Sequence, residues 1–156
     1  MSREPREKRS PQVRKRRTYT SLDQDVETIE GIGPAYGSKL RSSGVRVVDD
    51  LLRVGSTRNK RRILASEVDV APSTILKWVI RADFFRIKGI GAQYSSLLEA
   101  AGVTTVTDLS RRNPKNLQAS LKAINKKKNL VRRIPPYKTI KRWIECADKL
   151  SHILEY

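Results

Sequence analysis

Two glycines flanking one isoleucine occur twice, 58 residues apart, and each time they open a helix-like run that stops at another glycine. The first run is Ile29-Glu30-Gly31-Ile32-Gly33, leading to Leu40 and Gly44; the second is Ile87-Lys88-Gly89-Ile90-Gly91, leading to Leu98 and Gly102. A turn this tight leaves main-chain N–H groups bare at a helix start, where the positive end of the helix dipole faces the same point. Such a turn is a ready anion site.

The similarity extends well beyond the glycines. An offset of 58 also pairs Asp25 with Asp83, Tyr36 with Tyr94, Val48 with Val106 and Asp50 with Asp108. Further on the offset becomes 65, pairing Thr74 with Thr139, Trp78 with Trp143 and Ala82 with Ala147, so the second copy holds seven more residues, placed in the Lys126–Pro136 region. An internal repeat of this length marks a duplicated structural unit. The expected organisation is a first unit over 21–82, a second over 83–156, and a disordered basic arm over 1–20.

Each unit reads as helices joined by tight connections. Ser21 with Gln24 resembles a capping box opening a short helix to Ile29. Pro34 suits a first helical position, and Gly44 and Gly102 suit left-handed caps. Asn113-Pro114 opens a helix carrying Leu117, Leu121 and Ile124 at helical spacing. Pro135-Pro136 precedes a last helix whose apolar face is Ile140, Trp143, Ala147, Leu150 and Leu154. Alternation of the kind a strand needs is absent, so the expected fold is all-α, with both units packed as one compact domain.

Charge supplies the partner. The 156 residues hold 33 Lys and Arg against 16 Asp and Glu, a formal net charge of +17. The first 20 residues carry eight basic and two acidic side chains with almost nothing apolar, and Arg14, Lys15, Arg16 and Arg17 crowd their end. The remainder keeps 25 basic against 14 acidic groups. Excess charge on arm and body together points to nucleic acid. Two basic clusters are the strongest candidates beside the hairpins: Arg58, Lys60, Arg61 and Arg62, and Lys126, Lys127, Lys128, Arg132 and Arg133. Lys39, on the helix after the first hairpin, joins them. Glu30 beside the first hairpin repels a phosphate and Lys88 beside the second attracts one, which favours the second hairpin.

Other classes find little support. One cysteine and one histidine supply neither a disulfide framework nor a zinc site. A catalytic constellation and a phosphate-binding Gly-Lys-Ser/Thr loop are both missing, and Asp49 and Asp50 read as helix capping. The expectation is a non-enzymatic protein of the cytoplasm without a cofactor, a membrane or a small-molecule substrate. Residues Arg61 to Ala82 also have the apolar spacing of a helix-turn-helix, with Lys77 exposed, although Asp69 stands where that motif wants glycine. Trp78 and Trp143 read as core anchors, and Tyr36 and Tyr94 lie close to the hairpins.

The pattern hydrophobic-x-Gly-hydrophobic-Gly, then a small residue at Gly37 or Ser95 and an aliphatic one at Leu40 or Leu98, resembles the helix-hairpin-helix family. The longer stretch from Ala82 through Val103 is similar to an uncharacterised duplicated helix-hairpin-helix domain of bacterial and archaeal proteins, over roughly 26–150. The resemblance implies DNA binding without sequence reading, through amides at Gly31, Ile32, Gly33 and Ala35 and at Gly89, Ile90, Gly91 and Gln93 on phosphate oxygens. It also allows a potassium or sodium ion on the hairpin carbonyls. Ala35 and Gln93 stand where DNA-binding members often carry a basic residue. Duplex DNA is the default partner. A ribosome-associated RNA binder and a protein adaptor with purely structural hairpins stay open as alternatives.

Overall fold

The computed structural model describes residues 21–156. The arm residues Arg14, Lys15, Arg16 and Arg17 lie outside the described residues. Among those described, the regular elements are all helical, and the only strand-like pairing is one antiparallel bridge between Asp25 and Val47.

The first half comprises two 3₁₀ turns, Ser21–Asp23 and Val26–Thr28, then α1 (Pro34–Ser42), α2 (Val48–Val54), α3 (Arg58–Val68) and α4 (Pro72–Phe84). The second comprises α5 (Ala92–Ala100), α6 (Val106–Ser110), α7 (Pro114–Lys128) and α8 (Tyr137–Lys149). Local chemistry explains most boundaries. Pro34 and Pro114 occupy the first turns of α1 and α7, where a missing N–H costs nothing. The Asn113 side chain accepts from the amides of Lys115 and Asn116 at 3.0 and 3.2 Å. After α1 and α5 the chain reverses at Gly44 and Gly102, with φ of 85° and 87°. There Val45 N–H donates to Leu40 O at 2.9 Å, and Val103 N–H donates to Leu98 O at 3.0 Å.

Two expectations need correction. The helix anticipated over Ser21–Ile29 is broken into two turns. Asp25 accepts from the Glu27 amide at 2.8 Å and its carbonyl accepts from the Thr28 hydroxyl at 2.7 Å, local bonds that compete with a helical ladder. Ser21 contributes its carbonyl to Gln24 N–H rather than a capping hydroxyl. The last helix also stops short. It ends at Lys149, and Leu154 leaves the α8 face to become buried in the first half.

Two apolar cores result. Val26, Ile29, Leu40, Leu51, Ile75 and Phe85 belong to the first, and Ile87, Leu97, Leu98, Leu121 and Ile140 to the second. Trp78 anchors one and Trp143 the other, each 2% exposed. Helix α4 serves both. Its Ile75, Trp78, Val79 and Ala82 face the first core, while Phe84 enters the second and Ile80 packs against it. A recognition helix must lie on the surface to enter a groove. Helix α4 buries its C-terminal part between the cores and leaves Ser73 and Lys77, at its N-terminal end, exposed. Asp69 adopts the left-handed conformation (φ 57°) that a glycine would take between α3 and α4.

The acidic residues at the starts of α2 and α6 act as caps. Asp50 accepts from the amides of Arg46 and Val47 at 3.1 and 3.2 Å and pairs with Arg53. Asp108 accepts from the Thr104 amide at 3.0 Å and pairs with Arg112 at 2.9 Å. The Arg112 hydrogen bond is the largest influence on Asp108 and, with the Thr104 amide, outweighs burial, so its carboxyl titrates below the ordinary range. A depressed carboxylate pKa stabilises the fold above the unfolded value, and that stability is lost as pH falls through the folded value. Asp108→Asn should therefore lower unfolding free energy at pH 7 by about 1 kcal/mol. Urea titrations should show the difference shrinking once the pH drops below about 4, the unfolded carboxylate value; a difference unchanged at pH 2 would reject this origin.

Candidate nucleic-acid interface

Both hairpins are built the same way. Gly31 and Gly89 each take φ 92°, open to glycine and strained for other residues. Trp78 and Trp143 explain a second demand for glycine here. Each indole nitrogen lies 3.3 Å from where a side chain on the opposing glycine would begin. Ile32 and Ile90 point inward, 3% and 0% exposed. Their amides are not available to a ligand, because Ile32 N–H donates to Ile29 O and Ile90 N–H to Ile87 O, both at 3.1 Å. Ile32 and Ile90 therefore drop out of the binding set and serve as plugs.

Bare amides stand at Gly31 and Gly89 and at the helix starts. Neither Gly33 nor Gly91, the residues preceding α1 and α5, supplies a side-chain cap. Among the described residues nothing accepts from the amides of Gly33, Ala35 and Tyr36, or from those of Gly91, Ala92, Gln93 and Tyr94. The second set is larger because Pro34 has no N–H where Ala92 has one.

Surroundings separate the two hairpins further. The first is sewn into the seam between the halves. The Ser96 hydroxyl donates to Glu30 Oε2 at 2.7 Å, and Arg81 donates to the Glu30 carbonyl at 2.7 Å. Arg81 also makes a two-pronged pair with Glu99, both bonds 3.0 Å, which with the nearby carboxylates raises its pKa against the opposing effect of burial. Lys39 is exposed on α1, its ammonium 5.9 Å from the centre of the Tyr36 ring. At the second hairpin Lys88 is exposed, and among the described residues no carboxylate lies within 4 Å of its ammonium.

The first basic cluster is partly taken into the fold: Arg58, Lys60 and Arg62 are exposed, and Arg61 is buried. Arg61 is 3% exposed, and its guanidinium donates to the carbonyls of Gly55 (2.8 Å) and Glu155. Burial is the main influence on it and lowers its pKa from the ordinary arginine value. Arg58 donates to the Tyr156 carbonyl at 2.6 Å, and the Lys60 ammonium donates to Arg53 O at 3.3 Å. Of the four, Arg62 alone is exposed without a hydrogen-bond partner among the described residues. These cations hold the C-terminal tail and the end of α2 in place.

The second cluster is different. Lys126, Lys127 and Lys128 form the exposed last turn of α7, where cations also suit the helix dipole. The following loop is fixed by Asn125, whose Oδ1 accepts from the amides of Leu130 (2.8 Å) and Val131 (3.0 Å) and whose Nδ2 donates to Val131 O (3.0 Å). Arg132 and Arg133 project from that loop, exposed. The Tyr94 hydroxyl, from the first turn of α5, donates to the Arg133 carbonyl at 3.3 Å. That bond ties the basic loop to the side chain of a residue in the turn that carries the open amides.

Sequence reasoning missed Arg142 and Lys149. They lie seven residues apart on one face of α8 and, with Lys88, Gly89 and Trp143, line a groove of about 520 Å³. The signal was available as two basic residues at helical spacing on the last helix, but Trp143 drew attention to the buried face instead.

An all-helical protein with exposed basic side chains and an uncapped helix start is the class these features define. The chain belongs to the family described as Domain of unknown function (DUF4332), whose model matches residues 30–150. No curated protein and no solved structure matches it. No helix among the described residues is long and apolar enough to cross a membrane.

Proposed function

We propose that this protein is a non-catalytic nucleic-acid binder, using the second hairpin and the basic loop beside it to hold phosphates without reading bases, with duplex DNA as the favoured partner. The carrying observation is the run of unpartnered amides at Gly91–Tyr94, from whose turn the Tyr94 hydroxyl reaches the backbone of the basic loop at Arg133. On this reading the chain is a duplicated helix-hairpin-helix protein whose copies have diverged in use. The first hairpin carries Glu30, held by Ser96 and Arg81, beside its open amides and repels a phosphate; the second, flanked by Lys88, contacts the ligand.

Amides and cations of this kind grip the backbone and fix position, so affinity should depend weakly on sequence and steeply on salt. Fluorescence anisotropy with a duplex should give a logarithmic salt slope of roughly −4 to −5, taking five phosphate contacts at about 0.9 each. Lys88→Glu should weaken binding about tenfold, one or two contacts' worth. Arg62→Glu on α3 should weaken it less than about twofold, as a charge outside the surface does once screened. Equal losses from both variants would mean diffuse attraction to the whole globule and would defeat the assignment.

A further inference from the structure

We propose that the groove between the second hairpin and α8 binds a single nucleotide, its phosphate held by Lys88, Arg142, Lys149 and the indole N–H of Trp143. The inference deepens the nucleic-acid reading and rests on it for the class of ligand.

The two halves treat this face in opposite ways. In the first half the face beside Gly31 is closed: Arg81 covers the glycine, Ile80 and Phe84 turn towards the second core, and Glu99 of α5 is clamped on top. In the second half the matching residues are Cys146 for Arg81, Glu145 for Ile80 and Lys149 for Phe84, and Lys88 stands for Glu30. Apolar positions that dock a neighbour have become charged, so this face is not prepared for another helical unit. It remains open and cationic.

The groove also contains a donor with no acceptor. Trp143 is 98% buried, yet among the described residues nothing accepts from its indole N–H. No fully buried side-chain nitrogen or oxygen lacks a partner in the described part of the chain, so this N–H, like that of Trp78, keeps some exposure. It lies against Gly89, and Lys88, Arg142 and Trp143 line the same groove. An unpartnered indole N–H and three basic side chains lining one groove suit a phosphate oxygen. Cys146 and Leu150 add an apolar wall on which a sugar or base can rest, and the single carboxylate at the edge, Glu145, leaves the site net cationic. A volume of about 520 Å³ falls within the range of small-molecule pockets, ~300–1,000 Å³. A strand end or a free nucleotide fits its size.

Cys146, the single cysteine of the chain, lines this groove and reports its occupancy in the unmodified protein. The rate of its alkylation by N-ethylmaleimide should fall at least about fivefold with a saturating short single strand bearing a terminal phosphate. The same strand without that phosphate should need at least about tenfold more for equal protection, the loss expected for removing charge-assisted bonds. A nucleoside monophosphate tested alongside identifies the source: equal protection points to free nucleotide, weaker protection to a strand end, and both support the site. The pair Arg142→Glu and Lys149→Glu should abolish protection, while Lys126, Lys127 and Lys128 still give salt-dependent duplex binding. If the phosphorylated strand binds yet Cys146 reacts at its free rate, the groove assignment is wrong and the broader reading stands. If no nucleic acid binds at all, both fall.

Discussion

Phe85→Ala should lower the unfolding free energy by about 3–5 kcal/mol, the range for removing a buried phenyl ring. Phe85 is 1% exposed and closes the first core, while its neighbour Phe84 fills the second. The total stability of a domain is only about 5–15 kcal/mol, so this change approaches the limit of folding. The two tryptophans make the result more informative, because Trp78 reports on one core and Trp143 on the other. In single-tryptophan versions made with Trp→Phe, urea unfolding should show the same shift in midpoint from either probe. Helix α4 shared between the cores and the Arg81–Glu99 pair across the seam tie the halves into one cooperative unit. A midpoint that moves for Trp78 and stays fixed for Trp143 would show two independent folding units instead.

The largest effect on binding should come from the end of α7. Lys126→Gln, Lys127→Gln and Lys128→Gln together should reduce the steepness of the salt slope by about 3, at ~0.9 per lost phosphate contact. At 0.1 M salt the same three contacts correspond to a loss of roughly 10²–10³ in duplex affinity. Glutamine keeps helix propensity close to that of lysine, so the helical circular dichroism should hardly change. Anisotropy titrations at several salt concentrations check both numbers. An unchanged slope would mean these lysines only solvate and favour the helix end, which their position at the negative pole of the dipole already explains.

The features that the sequence disclosed are those governed by neighbours in the chain. Positive φ at Gly31, Gly44, Gly89 and Gly102, proline in the first turns of α1 and α7, and the Asn113 cap all follow from chemistry within about five residues. Burial of Trp78 and Trp143 followed from apolar spacing in the same way. What escaped was tertiary. Nothing near Arg61 announces that its acceptors are the carbonyls of Gly55 and, 94 residues on, Glu155. Leu154 continues the helical spacing of α8 in phase, so periodicity alone extends that helix. The chain leaves it at Leu150 because bonds from elsewhere reward the departure: Arg86 donates to Ser151 O at 3.0 Å, and Glu155 N–H donates to Ser56 O at 2.8 Å. The site divided along the same line. The open amides were legible in both hairpins, but the hold that Ser96 and Arg81 keep on Glu30 depends on their meeting across the seam.

That returning tail governs how the molecule can be taken apart. Severing the chain near residue 83 would strip Leu154 from its socket and deprive Arg61 of one of its two acceptors, a penalty borne by the N-terminal fragment. The C-terminal fragment would in turn carry a loose apolar end. Fragments mixed in solution should therefore reassemble, and a severed N-terminal piece could recruit the tail from an intact molecule, which makes strand exchange between copies the natural hazard of any attempt to study the pieces separately.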